Sequence, residues 1–166
     1  MGSTSIITTG GVSVGEADYL KGLLQRLGKM HLWKIAMKPV RPLTFGHIGQ
    51  AAYFGLPGNP VAVMVTFYQF VQPALRRLAG EDATEPLLLK AICDEPVRKR
   101  PRRREFLRGQ LTVGNDGGLH VRRTGSQGSG VLTSMSRANC FIVLPEACDG
   151  IATGETVQVQ PFAGLI

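Results

Sequence analysis

A chain of 166 residues has room for one domain or two small ones. With 43% apolar and 19% charged residues it has the composition of an ordinary soluble globular protein, and 21 glycines and ten prolines imply more turns than a helical bundle needs. A net charge of +7 and a pI near 9.8 favour acidic ligands or partners. Cys93, Cys140 and Cys148 form no C-x-x-C pair, so neither a zinc site nor a disulfide framework is indicated, and idle thiols in a reducing cytoplasm are expected. His31, His47 and His120 show no ligand spacing. The N-terminus reads as a strand and not as a signal peptide. The most apolar run, Val61 to Val71, is broken by Thr66 and Gln69 and is too short to span a bilayer, so no membrane association is expected.

In chain order, the β-branched run Ser5 to Thr9 predicts a strand. The glycine-rich turn Gly10-Gly11-Val12-Ser13-Val14-Gly15 follows, and then a helical pattern from Glu16 to Gly28. Glycines let backbone amides approach a ligand, and the first N–H groups of a helix favour negative charge. Asp18 would repel a bare phosphate but suits a divalent cation that bridges to one. A plain turn explains the glycines equally well, and the spacing is neither the dinucleotide fingerprint nor the P-loop. A chain opening on a lone strand implies preceding strands in a longer protein.

Met30 to Met37 reads as the next strand, completing a strand–helix–strand unit. Period-two alternation would set Lys34 and Lys38 on one face of it, leading into a loop stiffened by Pro39 and Pro42. Solvated lysines are the plain alternative. Strands follow at Leu43 to Phe45 and Ala52 to Leu56, and then Gly55-Leu56-Pro57-Gly58-Asn59-Pro60 opens a helix over 60–78. Asn59 is its N-cap and Pro60 its first residue. This is a second candidate anion-facing helix end, or simply a tight turn with a cap. Pro73 should kink the helix or start a fresh turn.

The polar stretch Gly80 to Pro86 marks a domain boundary, giving an α/β domain over 1–82 and an all-β, barrel-like domain over 83–166. Strands are expected at Leu87 to Cys93, Glu105 to Val113, Leu119 to Arg123, Cys140 to Leu144 and Thr156 to Gln160. Asn115 to Gly118 forms a hairpin turn. Arg98 to Arg104 holds six basic residues in seven. Without interleaved aromatics the run argues against nucleic acid, leaving a solvated loop or an attractor of small polyanions. The loop Gly125 to Gly130 either cradles an oxyanion or only connects two strands.

Taken together, Thr9 to Asp18, Trp33-Lys34-Ile35-Ala36-Met37-Lys38-Pro39, Gly55 to Pro60, Arg108-Gly109, Gly125 to Ser129 and Asn139 to Pro145 resemble one family. It is molybdopterin molybdenumtransferase, the molybdenum-insertion enzyme of molybdenum cofactor synthesis. The resemblance runs end to end and in order. It implies the C-terminal part of a three-layer molybdopterin-binding α/β domain followed by a β-barrel-like domain, and a homodimer in the full-length protein. It also implies a reaction in which adenylylated molybdopterin and molybdate bind with Mg²⁺, the adenylyl group leaves as AMP, and molybdenum passes to the dithiolene. By the same resemblance Asp18 would help hold Mg²⁺ or orient the pyrophosphate cleavage, and Gly10, Gly11, Ser13 and Gly15 would line the pterin phosphate pocket. Lys34 and Lys38 would neutralise pyrophosphate or molybdate, Pro57, Asn59 and Pro60 would shape the adjoining wall, and Arg108 and Ser129 would bind molybdate. An upstream aspartate of the family is absent, and Val40-Arg41 replaces a common glycine and lysine. A related molybdopterin adenylyltransferase would lack the Pro-Gly-Asn-Pro turn and the β domain. A molybdopterin-binding scaffold without catalysis is the other alternative.

Overall fold

The structure, a computed structural model, describes residues 4–10, 22, 26–39, 42–82 and 85–162. It divides into two compact units, Met1–Ile35 with Pro39–Thr84 and Ala36–Lys38 with Glu85–Ile166.

The first unit is built on a mixed sheet. Strand β1 (Ser5–Thr9) lies parallel to β5 (Ala51–Leu56), which is antiparallel to β4 (Pro42–Ile48), itself antiparallel to β2 (Gly28–Lys34). The β4–β5 hairpin closes in two residues, and Gly49 takes the positive φ of 59° that so tight a turn demands. The apolar side chains of Leu43, Ala52, Phe54 and Leu56 pack under Val71, Val63, Phe67 and Leu75 of the following helical segment.

That segment runs as α1 (Pro60–Thr66), a π-helical turn (Phe67–Val71) and α2 (Gln72–Leu78). Proline explains the π turn. Pro73 has no N–H and its ring would strike the carbonyl four residues back. One turn is therefore widened, and the Gln72 N–H donates to the Phe67 carbonyl, five residues back. Asn59 caps α1 by accepting from the Val61 and Ala62 amides, and Arg76 and Arg77 lie in the last turn, where the helix dipole favours cations.

The strand expected over Met30 to Met37 is two strands. The chain leaves the first sheet after Lys34, and Met37–Lys38 forms β3, which pairs parallel with a strand of the second unit. Hydropathy stays high across Ile35 and Ala36, so a change of pairing partner leaves no periodic trace.

The second unit is a closed barrel of β6 (Leu89–Cys93), β8 (Arg104–Val113), β9 (Leu119–Arg123), β10 (Cys140–Leu144) and β12 (Thr156–Pro161). The ring runs β8–β9–β6–β12–β10 and back to β8. Its interior is filled by Ala91, Cys93, Leu107, Val121, Cys140, Ile142, Leu144, Val157 and Val159. Burial raises the Cys140 thiol to about 12, so it is an inert core residue. Two short strands, β7 (Val97–Arg98) and β11 (Gly150–Ile151), pair beside the barrel, and α3 (Thr133–Ser136) precedes β10. At the β8–β9 hairpin His120 is clamped between carboxylates, Nδ1 lying 2.7 Å from Asp94 Oδ1 and Nε2 3.2 Å from Asp116 Oδ1.

Candidate functional site

In the first unit, the C-terminal ends of the parallel pair β1 and β5 bring Gly10, the first residue of one marked loop, to the other. Thr9 pairs with Leu56, the Gly10 amide donates to the Leu56 carbonyl (3.2 Å), and a Cβ on Gly58 would stand 3.4 Å from Gly10 Cα. Gly10 has φ 82°, a conformation glycine supplies without strain. Gly10 therefore adjoins Leu56 and Gly58, in the turn that leads to Asn59 and Pro60, at the end of the sheet where open α/β folds take ligands. The start of α1 is closed to an anion by its own cap. Pro60 has no N–H, the Val61 and Ala62 amides donate to Asn59 Oδ1, and Val63 donates to the Asn59 carbonyl. The first amides of α1 are thus already engaged within the cap. Gly11, Ser13, Gly15 and Asp18 lie outside the described residues.

Lys34 ends β2 in the first unit and Lys38 ends β3 in the second, so they do not share the strand that their spacing suggested. Lys38 pairs in register with Glu105 of β8, and its Nζ lies 3.3 Å from Glu105 Oε2. Glu105 is buried while about half of the Lys38 side chain (53%) stays exposed, so the ammonium is anchored from beneath and open above.

Arg108 is the most unusual side chain of the second unit. It is 1% exposed and has no carboxylate partner among the described residues. A buried cation without a counter-charge is costly, and desolvation pushes its pKa down. Its Nε donates to Ser134 Oγ (2.9 Å), and its Nη2 donates to the carbonyls of Gly128 (3.0 Å) and Ser126 (3.3 Å). Ser134 Oγ in turn donates to the Val131 carbonyl (2.6 Å). The backbone of Arg108 is clasped by the Gln127 amide, whose Oε1 accepts from Arg108 N (2.8 Å) and whose Nε2 donates to Arg108 O (3.2 Å). Thr124 Oγ1 donates to the Ser134 carbonyl (2.6 Å) and closes the base of the loop.

One side chain thus draws the carbonyls of the glycine-serine loop inward. Among the described residues none of the backbone amides of residues 125–130 donates a hydrogen bond, and Ser129 is exposed on this loop. Free amides over a fixed positive charge can hold an oxyanion. The family resemblance marked Arg108 and Ser129, and Gln127 was marked only as part of the loop Gly125 to Gly130; Ser134 and Thr124 were not marked. Their types are common in loops, and only the fold shows that they meet one arginine.

Among the described residues no three His, Cys, Asp or Glu side chains gather as a metal site, and no helix is long and apolar enough to cross a membrane.

The two units match two families in order. Residues 2–77 match the probable molybdopterin binding domain, and residues 90–162 match the MoeA C-terminal region (domain IV). A molybdopterin molybdenumtransferase from Haemophilus influenzae is 42% identical over 97% of this chain and 40% of its own length. One from a Nostoc species is 38% identical over 93% of this chain and 36% of its own. The crystal structure of a molybdopterin biosynthesis MoeA protein from Pyrococcus horikosii superposes with a TM-score of 0.74 at 28% identity, covering 96% of this chain and 37% of that one. Fold and matches define an α/β unit of the molybdopterin-binding class joined to a MoeA-type barrel. The chain belongs to the molybdopterin molybdenumtransferase (MoeA) family and spans about 40% of the length of the first of these curated relatives.

Proposed function

We propose that this chain is the C-terminal part of an enzyme that inserts molybdenum into molybdopterin, and that its second unit supplies the oxyanion site. The observation that carries the reading is Arg108, a buried guanidinium without a carboxylate, beneath a loop of unengaged amides and the exposed Ser129. Molybdate is a tetrahedral dianion, which suits fixed positive charge, a hydroxyl and convergent N–H donors. Arg108 contributes field and loop shape, and Ser129 contributes a hydroxyl donor.

In the first unit Gly10, Gly11, Ser13 and Gly15 line the phosphate end of the pterin substrate, and Pro57, Asn59 and Pro60 form the adjoining wall. Lys34 and Lys38 neutralise pyrophosphate or molybdate. Asp18 holds Mg²⁺ in company with substrate phosphates and water, the usual mode for an ion that sheds its waters reluctantly. A bound Mg²⁺ there would neutralise the charge that builds as AMP is released from adenylylated molybdopterin. The whole enzyme acts in the cytoplasm as a homodimer. The match of residues 90–162 to a MoeA C-terminal region favours this reading over a molybdopterin adenylyltransferase.

Calorimetric titration of the chain with molybdate tests the site. Ser129→Ala should weaken binding about tenfold, the worth of roughly one hydrogen bond to a charged group. Arg108→Met should abolish binding while circular dichroism checks that the barrel remains. Unchanged affinity in both variants would remove the assignment.

A further inference from the structure

The basic run of the second unit takes no part in the sites above, and the structure shows that it is a fixed turn. Lys99 points inward and is 8% exposed. Its Nζ donates to the carbonyls of Cys148 (2.9 Å), Glu146 (3.3 Å) and Arg100 (3.3 Å). The Lys99 amide donates to the Asp149 carbonyl (3.3 Å) and the Arg102 amide to the Glu146 carbonyl (3.0 Å). One end of the turn is held by the β7–β11 pair of Arg98 with Gly150, and the other by the Arg104 amide donating to the Ala36 carbonyl (3.0 Å). Arg102 adopts φ 86°, unusual for a side chain of its size.

The anchoring turns the remaining cations outward. Arg98, Arg100, Arg102 and Arg104 are exposed and Arg103 is partly so. Among the described residues no carboxylate lies within ion-pair distance of any of the five. The acidic side chains of the strand-joining segment facing the turn, Glu146 and Asp149, are exposed and reach none of them. Like charges concentrated in seven consecutive residues repel one another, and salt screens that repulsion beyond a Debye length of roughly 8 Å at physiological strength. A solubilising surface would mix the signs. All five are arginines, whose planar fork suits carboxylates and phosphates.

We propose that the Arg98–Arg104 turn is a docking site for an acidic, extended segment of a partner protein. A lone oxyanion can engage only two or three of these groups and would leave the rest opposed. Carboxylates on alternate residues of an extended chain recur about every 7 Å and can meet several. Nucleic-acid strands are disfavoured because no exposed aromatic interleaves with the arginines to stack on bases. A complementary charged face raises the association rate more than it lengthens the complex's lifetime.

The test is fluorescence anisotropy of the whole chain with a labelled twelve-residue peptide of alternating Glu and Ser at 50 mM salt. Arg100→Ser with Arg102→Gly removes two cations while glycine accepts the positive φ, and should weaken binding at least tenfold. Arg76→Ser with Arg77→Ser removes two cations from α2 and should leave binding within twofold. Affinity should fall steeply at 300 mM salt. No binding of the peptide, an equal loss in the α2 variant, or tighter binding of polyphosphate or of a single-stranded oligonucleotide than of the peptide would each overturn the proposal.

Discussion

Two cations of the barrel show opposite ways of holding charge. Arg108 is buried and solvated only by carbonyls and a hydroxyl, whereas His120 is partly exposed and faces a carboxylate at each ring nitrogen. Both of its nitrogens can donate only when the ring is protonated, so the hydrogen bonds to Asp94 first, and to Asp116 second, raise its pKa above the ordinary 6.5. Its folded form therefore holds the proton more tightly than the unfolded chain does. The stabilisation is fully present below about pH 6.5 and is lost as pH rises through the elevated value. Thermal melts between pH 5.5 and 9 should show a decline that His120→Gln flattens, and an unchanged profile in the variant would dismiss the clamp. Glu95 has the reverse sign. The side-chain hydrogen bond from Arg123 lowers its pKa, so its contribution persists at neutral pH and disappears only in acid.

At the scale of elements, the cap on α1 is a local device with a measurable worth. Asn59→Ala strips the acceptor from two amides at the buried end of the helix and should cost about 1 kcal/mol in urea unfolding, with Asn59→Ser recovering most of it. This cap was legible from Asn59-Pro60 alone, because capping chemistry is local. So were β9, where Leu119 and Val121 alternate with polar residues, and β10, a continuous apolar run of five residues. The fold class and the molybdopterin-family resemblance were legible for another reason, since several short motifs in order carry more information than any single period. Other features were not legible. β7 and β11 are two residues long and carry no periodicity. The break after Lys34 follows from which strand Met37 meets, and the apolar character of the segment is the same on either side. The π turn was only half visible: Pro73 announces a disturbance, but whether the helix bends or widens depends on packing against Leu43 and Phe54. At the candidate oxyanion loop the sequence showed glycines and serines. That Arg108 draws the loop's carbonyls inward depends on β8 and residues 124–134 meeting across the barrel wall.

For the molecule as a whole, the chain visits the second unit twice. Ala36–Lys38 enters, adds β3 to β8 and returns before the segment at 80–86 leads into the barrel. A recombinant piece beginning at Glu85 would leave the Arg104–Glu105 edge of β8 unpaired and Glu105 buried without its ammonium. A buried carboxylate stripped of its partner is destabilising, so this piece should melt well below the whole chain's barrel, and a peptide spanning 33–41 added in trans should restore part of the difference. No restoration would show that the strap is passive. The same threading bears on how such a protein can be inherited. A gene fragment that begins at the linker cannot carry the second unit intact, because three of its residues are encoded some 50 codons upstream, inside the other unit's reading. Shuffling at the linker would separate them, and the two units are bound to travel together.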